Sequence, residues 1–333
     1  MIAYYSPSDK IFLAIVWGLS VCGFMMNLFL LFIIVFKSPA NLSPYRIFLA
    51  NTAITQLFAD VVYISISPRV LGEGLNIIVI YLGPGQFLGK DVCRMLYTAM
   101  LHFSLNSLLS WMISMAYRCI VLVVTEIRTR TVVLMCLTAY TIPLSMMVTS
   151  VNLHAYNNAT EADILTHQTI PNMKKYPVVV IANVLQICGS FQPGLLYAIL
   201  CCSVLMVPIY VIMFGCRWKI HSLLKRETYS EQTKRHVKQL VKALTLQSIV
   251  PLLAYFPPAT VYLLVQFGHI DPQTSSYSVV PCLCIGPLLD PLITMYYVYP
   301  YRMYVKRLLL RWKKKPPQTI QTRPRVSLTT TTN

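Results

Sequence analysis

Long apolar stretches alternate with short polar segments along the chain. Each stretch is roughly 20 residues or longer, the length that an α-helix needs to cross the hydrocarbon core of a bilayer. Charged residues are sparse in these stretches and gather between them. The pattern predicts seven membrane-spanning helices, numbered here as spans one to seven: 11–36, 47–67, 91–122, 131–150, 193–215, 240–266 and 277–298.

Composition supports a membrane protein. The 333 residues are 56% hydrophobic and only 12% charged, whereas a soluble domain carries about 25% charged residues. Span one is longer than the apolar core of a signal peptide and has no small-residue cleavage site, so we expect it to stay in the protein. No repeat or second, soluble domain is visible. We predict an all-α membrane protein in which residues 1–315 form one seven-transmembrane helix bundle.

The positive charges are distributed unevenly between the two sides of the predicted membrane. Of the 28 lysines and arginines, 22 lie in the segments 37–46, 118–130, 216–242 and from 300 onward, which follow spans one, three, five and seven and include the adjoining span ends. Basic segments stay on the cytoplasmic side, so we expect the N-terminus outside and the C-terminus inside. The net charge of +17 is then a topology signal with added attraction to anionic lipid, and we predict no nucleic-acid partner.

Two features of the outside segments follow from this topology. Asn158 begins an Asn-x-Thr glycosylation sequon in the longest outside loop, 151–192, and is the predicted glycosylation site. That loop is partly apolar, and we expect it to fold back over the outer mouth of the bundle. Most cysteines lie within spans and are expected to be reduced core residues. Cys93 and Cys188 lie on the oxidising outer side, where a disulfide between them is permitted.

Two acidic residues lie inside predicted spans: Asp60 in span two and Asp290 in span seven. A charge at mid-bilayer costs about 3 kcal/mol on insertion scales. Both carboxyl groups must therefore face the bundle interior and find partners there. Pro291 follows Asp290 and gives span seven a polar, kinked joint. The polar residues of spans one and two that could hydrogen-bond to these acids are Asn27, Asn51 and Gln56.

Three interpretations of the acids stay open at this point. The first is a polar network at the pivot of a switching helix bundle. The second is a proton or cation pathway, which would make the chain a multi-pass transporter or ion-conducting protein that uses Asp60 and Asp290. The third is an intramembrane aspartyl protease, but its Gly-x-Gly-Asp context is absent. No soluble-enzyme motif occurs either, so we predict no enzyme activity, no cofactor and no metal site.

The outer halves of several spans carry aromatic and polar residues that could line a ligand pocket. His102 in span three could line that pocket or form a hydrogen bond between helices. Aromatic residues make up 11% of the chain, so packing alone is the alternative explanation for the others. The predicted ligand-binding residues are Tyr97, His102, Tyr197, Tyr255, Phe256, Tyr262 and Gln266.

The inner side carries a different kind of candidate. Arg118 ends span three, where its long side chain could simply reach the interface or could contact a cytoplasmic partner. The segment between spans five and six extends both helices with basic, helix-favouring sequence. It could dock a partner or act only as a topogenic charge cluster. The predicted partner-facing residues are Arg118, Arg217, Lys219, Lys234, Arg235 and Lys238.

The chain continues past span seven with a further periodic pattern. Val305, Leu308, Leu309 and Trp312 recur at helical spacing, with lysines and arginines mainly on the opposite side. This pattern predicts an amphipathic helix over about 301–314 that lies in the inner membrane interface. The segment 316–333 is rich in Thr and Pro and poor in apolar residues, and we predict that it is a disordered cytoplasmic tail.

Four stretches of the sequence resemble one known family, the delta class (Srd) of the nematode serpentine seven-transmembrane chemoreceptors. They lie in spans two, three, six and seven, so the resemblance extends along most of the chain. The stretches are "SPYRIFLANTAITQLFA" (43–59), "VCRMLYTAMLHFSLNSLLSWMISMAYRCIVL" (92–122), "SEQTKRHVKQLVKALTLQSIVPLL" (230–253) and "DPLITMYYVYPYR" (290–302).

The resemblance implies a plasma-membrane receptor of sensory neurons, located in their cilia. Such receptors couple an external small-molecule or peptide ligand to a heterotrimeric G protein. The expectation is therefore an olfactory-type chemoreceptor whose ligand is unknown. The transporter or ion-conducting protein that uses the intramembrane acids stays the alternative.

A looser likeness to rhodopsin-type receptors adds three correspondences. The spacing from Cys93 to Arg118 is similar to the one between the outer cysteine and the inner arginine of those receptors. Arg118 then resembles the arginine of their Asp-Arg-Tyr motif, but Tyr117 stands where the acid is expected. "DPLIT" resembles their Asn/Asp-Pro-x-x-Tyr motif, with Thr294 in place of tyrosine. Asp60 falls near the acid of their sodium site.

Overall fold

The computed structural model describes residues 5–39, 43–73, 76–124, 127–153, 179–183, 197, 200–201, 204–226, 241–242, 245–246, 249, 252, 260, 264 and 275–313. Its helices are α1 (Pro7–Phe36), α2 (Ser43–Ile66), α3 (Lys90–Val121), α4 (Thr129–Leu153), α5 (Met206–Arg226), α6 (Val279–Tyr297) and α7 (Tyr299–Lys313). Its strands are β1 (Pro68–Glu73), β2 (Asn76–Tyr81) and β3 (Val179–Asn183), and a short 3₁₀ helix covers Pro84–Leu88.

The helices follow the predicted spans closely. Helices α1 to α4 match spans one to four and α6 matches span seven, each to within a few residues at its ends, and α5 begins within span five and continues to Arg226. The described residues of span six are helical. Within the described part of the chain, four helices are long and apolar enough to cross a membrane: Pro7–Phe36, Pro44–Ile66, Thr129–Thr149 and Val279–Tyr297.

Local sequence explains where α1 starts. Ser6 is the N-cap, its hydroxyl accepts a hydrogen bond from the Asp9 N–H, and the Asp9 carboxylate accepts one in return from the Ser6 N–H. This capping box satisfies two of the backbone donors that a helix start leaves open. Pro7 occupies the first helical turn, where its missing N–H costs nothing.

The described helices pack in a regular order. Helix α1 lies against α2 and α6, α2 lies against α3, and α3 lies against α4 and α5. Hydrophobic side chains fill two main regions, and here the words outer and inner follow the topology predicted from the charges. The outer cluster is formed by Phe12, Val16, Ala59, Val62, Tyr63, Ile66, Leu71, Ile78, Val79, Ile80, Tyr81, Leu82, Cys93, Met100, Val280 and Cys284. The inner cluster is formed by Leu30, Ile33, Ile34, Tyr45, Phe48, Leu49, Ala53, Ile113, Tyr117, Val132, Met295, Val298 and Tyr301.

A three-stranded antiparallel sheet is the main departure from the predicted all-helical pattern. Its strand order is β1-β2-β3, with Val70 opposite Val79 and Val79 opposite Val180. Strand β2 has the sequence NIIVIY, a β-branched and aromatic run that favours strands. Strand β3 comes from the loop 151–192, and its pairing with β2 shows part of that loop folded back as expected.

The sheet contributes to the outer cluster as well as covering it. Leu71, Ile78, Ile80 and Tyr81 are each at most 3% exposed, and they pack in the same cluster as residues of α1, α2, α3 and α6. The outer ends of these four helices are therefore filled by side chains of the sheet. The sequence pattern did not predict this, because six-residue strands leave no signal beside spans of 20 or more residues.

The predicted interfacial helix is present as α7, Tyr299–Lys313. Val305 and Leu308 are half-buried, whereas Leu309 is exposed. Tyr301 anchors the helix: its side chain is fully buried and shares a hydrogen bond of 3.2 Å with the Ser38 hydroxyl. Burial raises the pKa of the Tyr301 hydroxyl, so this group stays neutral and able to donate.

A buried polar group, here called the outer clasp, joins three distant segments through Asp9, Arg69, Ser276 and Tyr277. Arg69 Nη1 lies 3.4 Å from Asp9 Oδ1, and the Tyr277 hydroxyl donates to the same oxygen at 2.9 Å. Arg69 Nε donates to the Ser276 hydroxyl at 2.7 Å, and the guanidinium carbon lies 4.0 Å from the Tyr277 ring centroid. The clasp therefore ties β1 to the start of α1 and to the residues before α6.

We predict that Arg69→Ala lowers the free energy of unfolding by about 3–5 kcal/mol, because it removes the cationic partner of a buried carboxylate. Thermal unfolding of the purified protein in lipid nanodiscs measures the change. Arg94→Ala is the matched control: Arg94 pairs with Asp91, whose side chain is 84% exposed, so its loss should cost about 1 kcal/mol or less. Equal effects of the two substitutions would show that the clasp contributes no more than a surface pair.

Candidate functional site

Helix α6 has Pro291 in its interior, where proline kinks a helix and removes a hydrogen bond, and α1 supplies the missing donor. Pro291 has no N–H, so the carbonyl of Pro287, four residues earlier, has no helical donor. Asn27 Nδ2 donates to that Pro287 carbonyl at 2.8 Å and to the Gly23 carbonyl at 3.0 Å. The Asn27 side chain is fully buried. A side chain of span one thus completes the backbone of span seven at its kink.

A side chain of α2 bonds to the carboxyl group of Asp290, the residue before Pro291. Gln56 Nε2 donates to Asp290 Oδ2 at 3.1 Å. Asp290 and Gln56 are 2% and 1% exposed, so this hydrogen bond lies away from solvent. A hydrogen bond to a buried carboxylate is a strong one, because the alternative is an unsatisfied group in a medium of low dielectric constant. The partner that Asp290 was expected to need is thus Gln56.

Two further hydrogen bonds extend this network to α3. Asn51 Nδ2 donates to the Ser110 hydroxyl at 2.7 Å, and Asn106 Nδ2 donates to the Thr55 hydroxyl at 2.8 Å. Thr55 in turn donates to the Asn51 carbonyl one helical turn earlier. The polar network, as we name it, therefore connects α1, α2, α3 and α6 through Asn27, Asn51, Thr55, Gln56, Asn106, Ser110, Pro287 and Asp290.

Asp60 has a different environment from Asp290. Its side chain is fully buried, and neither carboxyl oxygen has a hydrogen-bond partner within the described residues. The two acids are therefore not hydrogen-bonded to each other. The carboxyl group packs against Gly23, where an added Cβ would lie 3.0 Å from Asp60 Oδ2. Gly23 is thus the residue that makes room for this acid.

The oxygens left without donors suggest what this region could accept. Asn27 Oδ1 and Gln56 Oε1 are, like the Asp60 oxygens, buried acceptors without a partner in the described part of the chain. A proton, a water molecule or a monovalent cation would supply the hydrogen atom or positive charge that these acceptor oxygens lack. The described residues contain no group of three or more His, Cys, Asp or Glu that could hold a metal ion.

The predicted ligand-binding residues that the structure describes contact different neighbours. Tyr97 is half-buried under the sheet, with its ring centroid 6.5 Å from that of Tyr81. His102 Nε2 lies 3.0 Å from the Tyr140 hydroxyl, and the Tyr197 hydroxyl lies 2.8 Å from that of Ser145. His102 and Tyr197 therefore both form hydrogen bonds to α4. For His102 this is the hydrogen bond between helices that the sequence offered as an alternative to a place in the pocket.

The other predicted ligand-binding residues, Tyr255, Phe256, Tyr262 and Gln266, lie outside the described residues, as does Asn158. The pocket therefore stays a prediction. The predicted disulfide between Cys93 and Cys188 also stays a prediction: Cys93 is described, and its side chain is 0% exposed. It is packed into the outer cluster beside Tyr81 and Met100. Cys188 lies outside the described residues.

At the inner end of α3, an aromatic ring takes the place of the expected acid. The Arg118 guanidinium carbon lies 3.7 Å from the centroid of the Tyr45 ring. Its Nε and Nη2 atoms are buried and form no hydrogen bond with any described residue. Arg217 and Lys219 are exposed on α5. The remaining predicted partner-facing residues, Lys234, Arg235 and Lys238, lie outside the described part of the chain.

Several members of the polar network were not predicted from the sequence. Asn106, Ser110 and Thr55 were not singled out, although α3 repeats small polar residues at helical spacing, as at Ser107, Ser110 and Ser114. Polar residues at such spacing within a span mark a face that is turned toward other helices. Pro287 joins the network through its backbone carbonyl, a group that every residue has. Its side chain therefore could not indicate this contact.

The arrangement of the helices is shared with a solved structure. The structure matches the crystal structure of squid rhodopsin with a TM-score of 0.61 at 13% identity, over 93% of this chain and 91% of that one. This likeness shows the fold: a membrane bundle of seven helices.

Sequence comparison identifies the family. Residues 12–307 match the family model described as "Serpentine type 7TM GPCR chemoreceptor Srd". The chain is 40% identical to serpentine receptor class delta-32 of Caenorhabditis elegans, over 93% of this chain and 89% of that protein. It is 38% identical to serpentine receptor class delta-33 of the same organism, over 92% and 88%. The chain belongs to the Srd family of serpentine chemoreceptors, as the sequence resemblance had indicated.

We predict that Asn27→Ala destabilises the protein by about 1–3 kcal/mol, the cost of a buried carbonyl that loses its donor. Pro291→Ala restores an N–H four residues after Pro287. In a double-mutant cycle, Asn27→Ala should therefore cost less in the Pro291→Ala background than in the wild-type chain. Unfolding temperatures of the four purified proteins in nanodiscs test this coupling. Strictly additive effects would mean that Asn27 does not act through the Pro287 carbonyl.

Proposed function

We propose that this protein is a G-protein-coupled chemosensory receptor of the olfactory type, which binds an external small molecule and activates a heterotrimeric G protein. The observation that supports the proposal best is the polar network. Asn27 of α1 and Gln56 of α2 each donate a hydrogen bond to α6, and two further hydrogen bonds join α2 to α3. Membership in a chemoreceptor family supports the same conclusion.

The ligand end of the receptor is placed on the outer side, away from the sheet. Side chains of β1 and β2 fill the space between the outer ends of α1, α2, α3 and α6. We therefore place the pocket beside α4, to which His102 and Tyr197 both form hydrogen bonds. The proposed pocket comprises Tyr97, which contacts Tyr81 of the sheet, and beyond it His102, Tyr197, Tyr255, Phe256, Tyr262 and Gln266. A largely aromatic lining suits a small apolar or amphipathic molecule.

The polar network is the proposed switch. A ligand shifts the receptor toward a second conformation only if it binds that conformation more tightly. A kinked helix whose free carbonyl is satisfied by a neighbouring side chain can change its bend by exchanging that one hydrogen bond. The switch would comprise Asn27, Asn51, Asp60, Asp290 and Pro291, now with Gln56 as the partner of Asp290.

The inner end of the bundle is the proposed G-protein surface. Arg118 at the end of α3 and exposed Arg217 and Lys219 on α5 lie on the side that the charge distribution assigns to the cytoplasm. Lys234, Arg235 and Lys238 would extend this surface. For the cell, the proposal is a multi-pass receptor in the plasma membrane of sensory-neuron cilia, which imaging of a C-terminally tagged chain in the animal tests directly.

We predict that Arg118→Ala abolishes ligand-independent G-protein activation but leaves the amount of receptor at the cell surface unchanged. The reason is that Arg118 would contact the partner and, as a half-buried residue, supports little of the fold. Cultured cells that carry dissociation biosensors for several G proteins measure the basal signal, normalised to surface labelling. Arg130→Ala, which removes an exposed cation at the start of α4, is the matched control and should signal normally. Loss of surface delivery in Arg118→Ala alone would make Arg118 a folding residue.

Ion conduction is the alternative function. The observation that favours it is the buried Asp60 carboxyl group, which forms no hydrogen bond with any described residue. A conducting protein would carry cation or proton flux in liposomes that contain no G protein. We expect no such flux from the purified wild-type chain. Flux that is present in the wild type and absent in Asp60→Asn would replace the receptor proposal with the transporter one.

A further inference from the structure

Among the described residues, no acid forms an ion pair with Arg118. Tyr117 occupies the preceding position, where an acidic residue would be the usual intramolecular partner for such an arginine. Neither of the two ion pairs formed among the described residues, Arg69–Asp9 and Arg94–Asp91, involves Arg118. Something other than charge pairing must therefore hold its side chain within the described part of the bundle.

The contact that replaces an ion pair is the face of the Tyr45 ring on α2. The distance of 3.7 Å from the guanidinium carbon to the ring centroid is well within the range of a cation–π interaction, which strengthens as the two groups lose water. Tyr45 is only 8% exposed, and the Nε and Nη2 atoms of Arg118 are out of reach of solvent. The pair is therefore a desolvated one.

Tyr45 is itself fixed by its neighbours, so it can act as a rigid platform. The Ser114 hydroxyl donates to the Tyr45 oxygen at 3.4 Å, one turn before Arg118 on α3. The Tyr117 ring is stacked beside it, with centroids 6.4 Å apart. Tyr45 also belongs to the inner cluster together with Met295 of α6 and Tyr301 of α7. Movement of α6 or α7 would thus reach Arg118 through this ring.

The contact leaves Arg118 incompletely satisfied. A guanidinium group has five N–H donors, and a ring face does not replace hydrogen-bond acceptors for the two buried nitrogens. Oxygen acceptors on a docking partner, such as backbone carbonyls at the end of a helix, would satisfy them. Arg118 therefore has a reason to leave the ring when such acceptors are offered, and a reason to stay there when they are not.

We propose that Tyr45 is the positioning residue for Arg118: its ring latches the arginine in the resting receptor and takes the place of an acid. The proposal rests on the proposed function, because it assigns the regulation of the same inner site. It requires that weakening the ring–cation contact should raise basal signalling, while removing Arg118 should abolish it. If the ring served only for packing, a change in the electron density of its face would leave basal signalling unchanged.

A series of fluorinated phenylalanines at position 45 separates these possibilities. Tyr45→Phe keeps the ring face and should keep the wild-type basal signal within about twofold. Incorporation of mono-, di- and trifluorophenylalanine progressively weakens the negative ring face with little change in shape. Basal signal per surface receptor should rise along the series and reach about fivefold for the trifluoro ring, a factor typical of one lost cation–π contact. A flat series would overturn the latch.

A second measurement does not depend on any G protein. Hydrogen–deuterium exchange of the purified receptor in nanodiscs should be faster in peptides around 43–50 and 114–121 for Tyr45→Leu, and unchanged for Tyr45→Phe. Unchanged exchange in Tyr45→Leu would also overturn the latch. A third outcome is that exchange responds as expected but neither the wild type nor any variant activates a G protein. In that case the Tyr45–Arg118 contact joins α2 to α3 as inferred, and the proposed function is wrong.

Discussion

A backbone carbonyl without water to solvate it is the constraint on which the rest of this bundle depends. Pro291 bends α6 and leaves the Pro287 carbonyl without its helical donor, inside a membrane where an open acceptor is costly. The donor comes from Asn27 of α1. This one hydrogen bond determines which helix must lie beside the kink and at what height. The pairing of α1 with α6, and then of both with α2, follows from it.

The same constraint explains the other polar groups of the structure. The Asp290 carboxylate is bonded by Gln56, the Asn51 and Asn106 amides are bonded across α2 and α3, and the buried Asp9 has Arg69 and Tyr277. In every case the partner comes from another segment of the chain. A polar contact between segments in a dry interior is both a strong tie and a specific one, because sliding either helix by one residue would leave two groups unsatisfied.

Such ties suit a receptor better than a rigid scaffold. A helix bundle that holds together through a few exchangeable hydrogen bonds can have two arrangements that are close in free energy, and a ligand or a G protein needs only to favour one of them. Arg118 shows the same principle at the inner face. The Tyr45 ring contacts it, and its N–H groups that lack an acceptor among the described residues favour a partner that brings oxygen atoms. The sheet, by contrast, fills the outer ends of α1, α2, α3 and α6 and directs the proposed ligand pocket to the other side of the bundle.

The sequence by itself determined the class of protein, the spans and the amphipathic helix. The reason is that the length of an apolar stretch and its helical periodicity are local properties, and they decide directly how a segment partitions into the bilayer. It also determined that Asp60 and Asp290 had to be buried, and it named Gln56 among the possible partners of these acids. Only the tertiary structure decided the pairing: Gln56 with Asp290, Asn27 with a carbonyl, and Tyr45 with Arg118. The sheet was also decided there, since β3 pairs with β2 across about a hundred residues of chain. Which groups meet depends on how the helices are arranged around one another, and no residue's own neighbours in sequence carry that information.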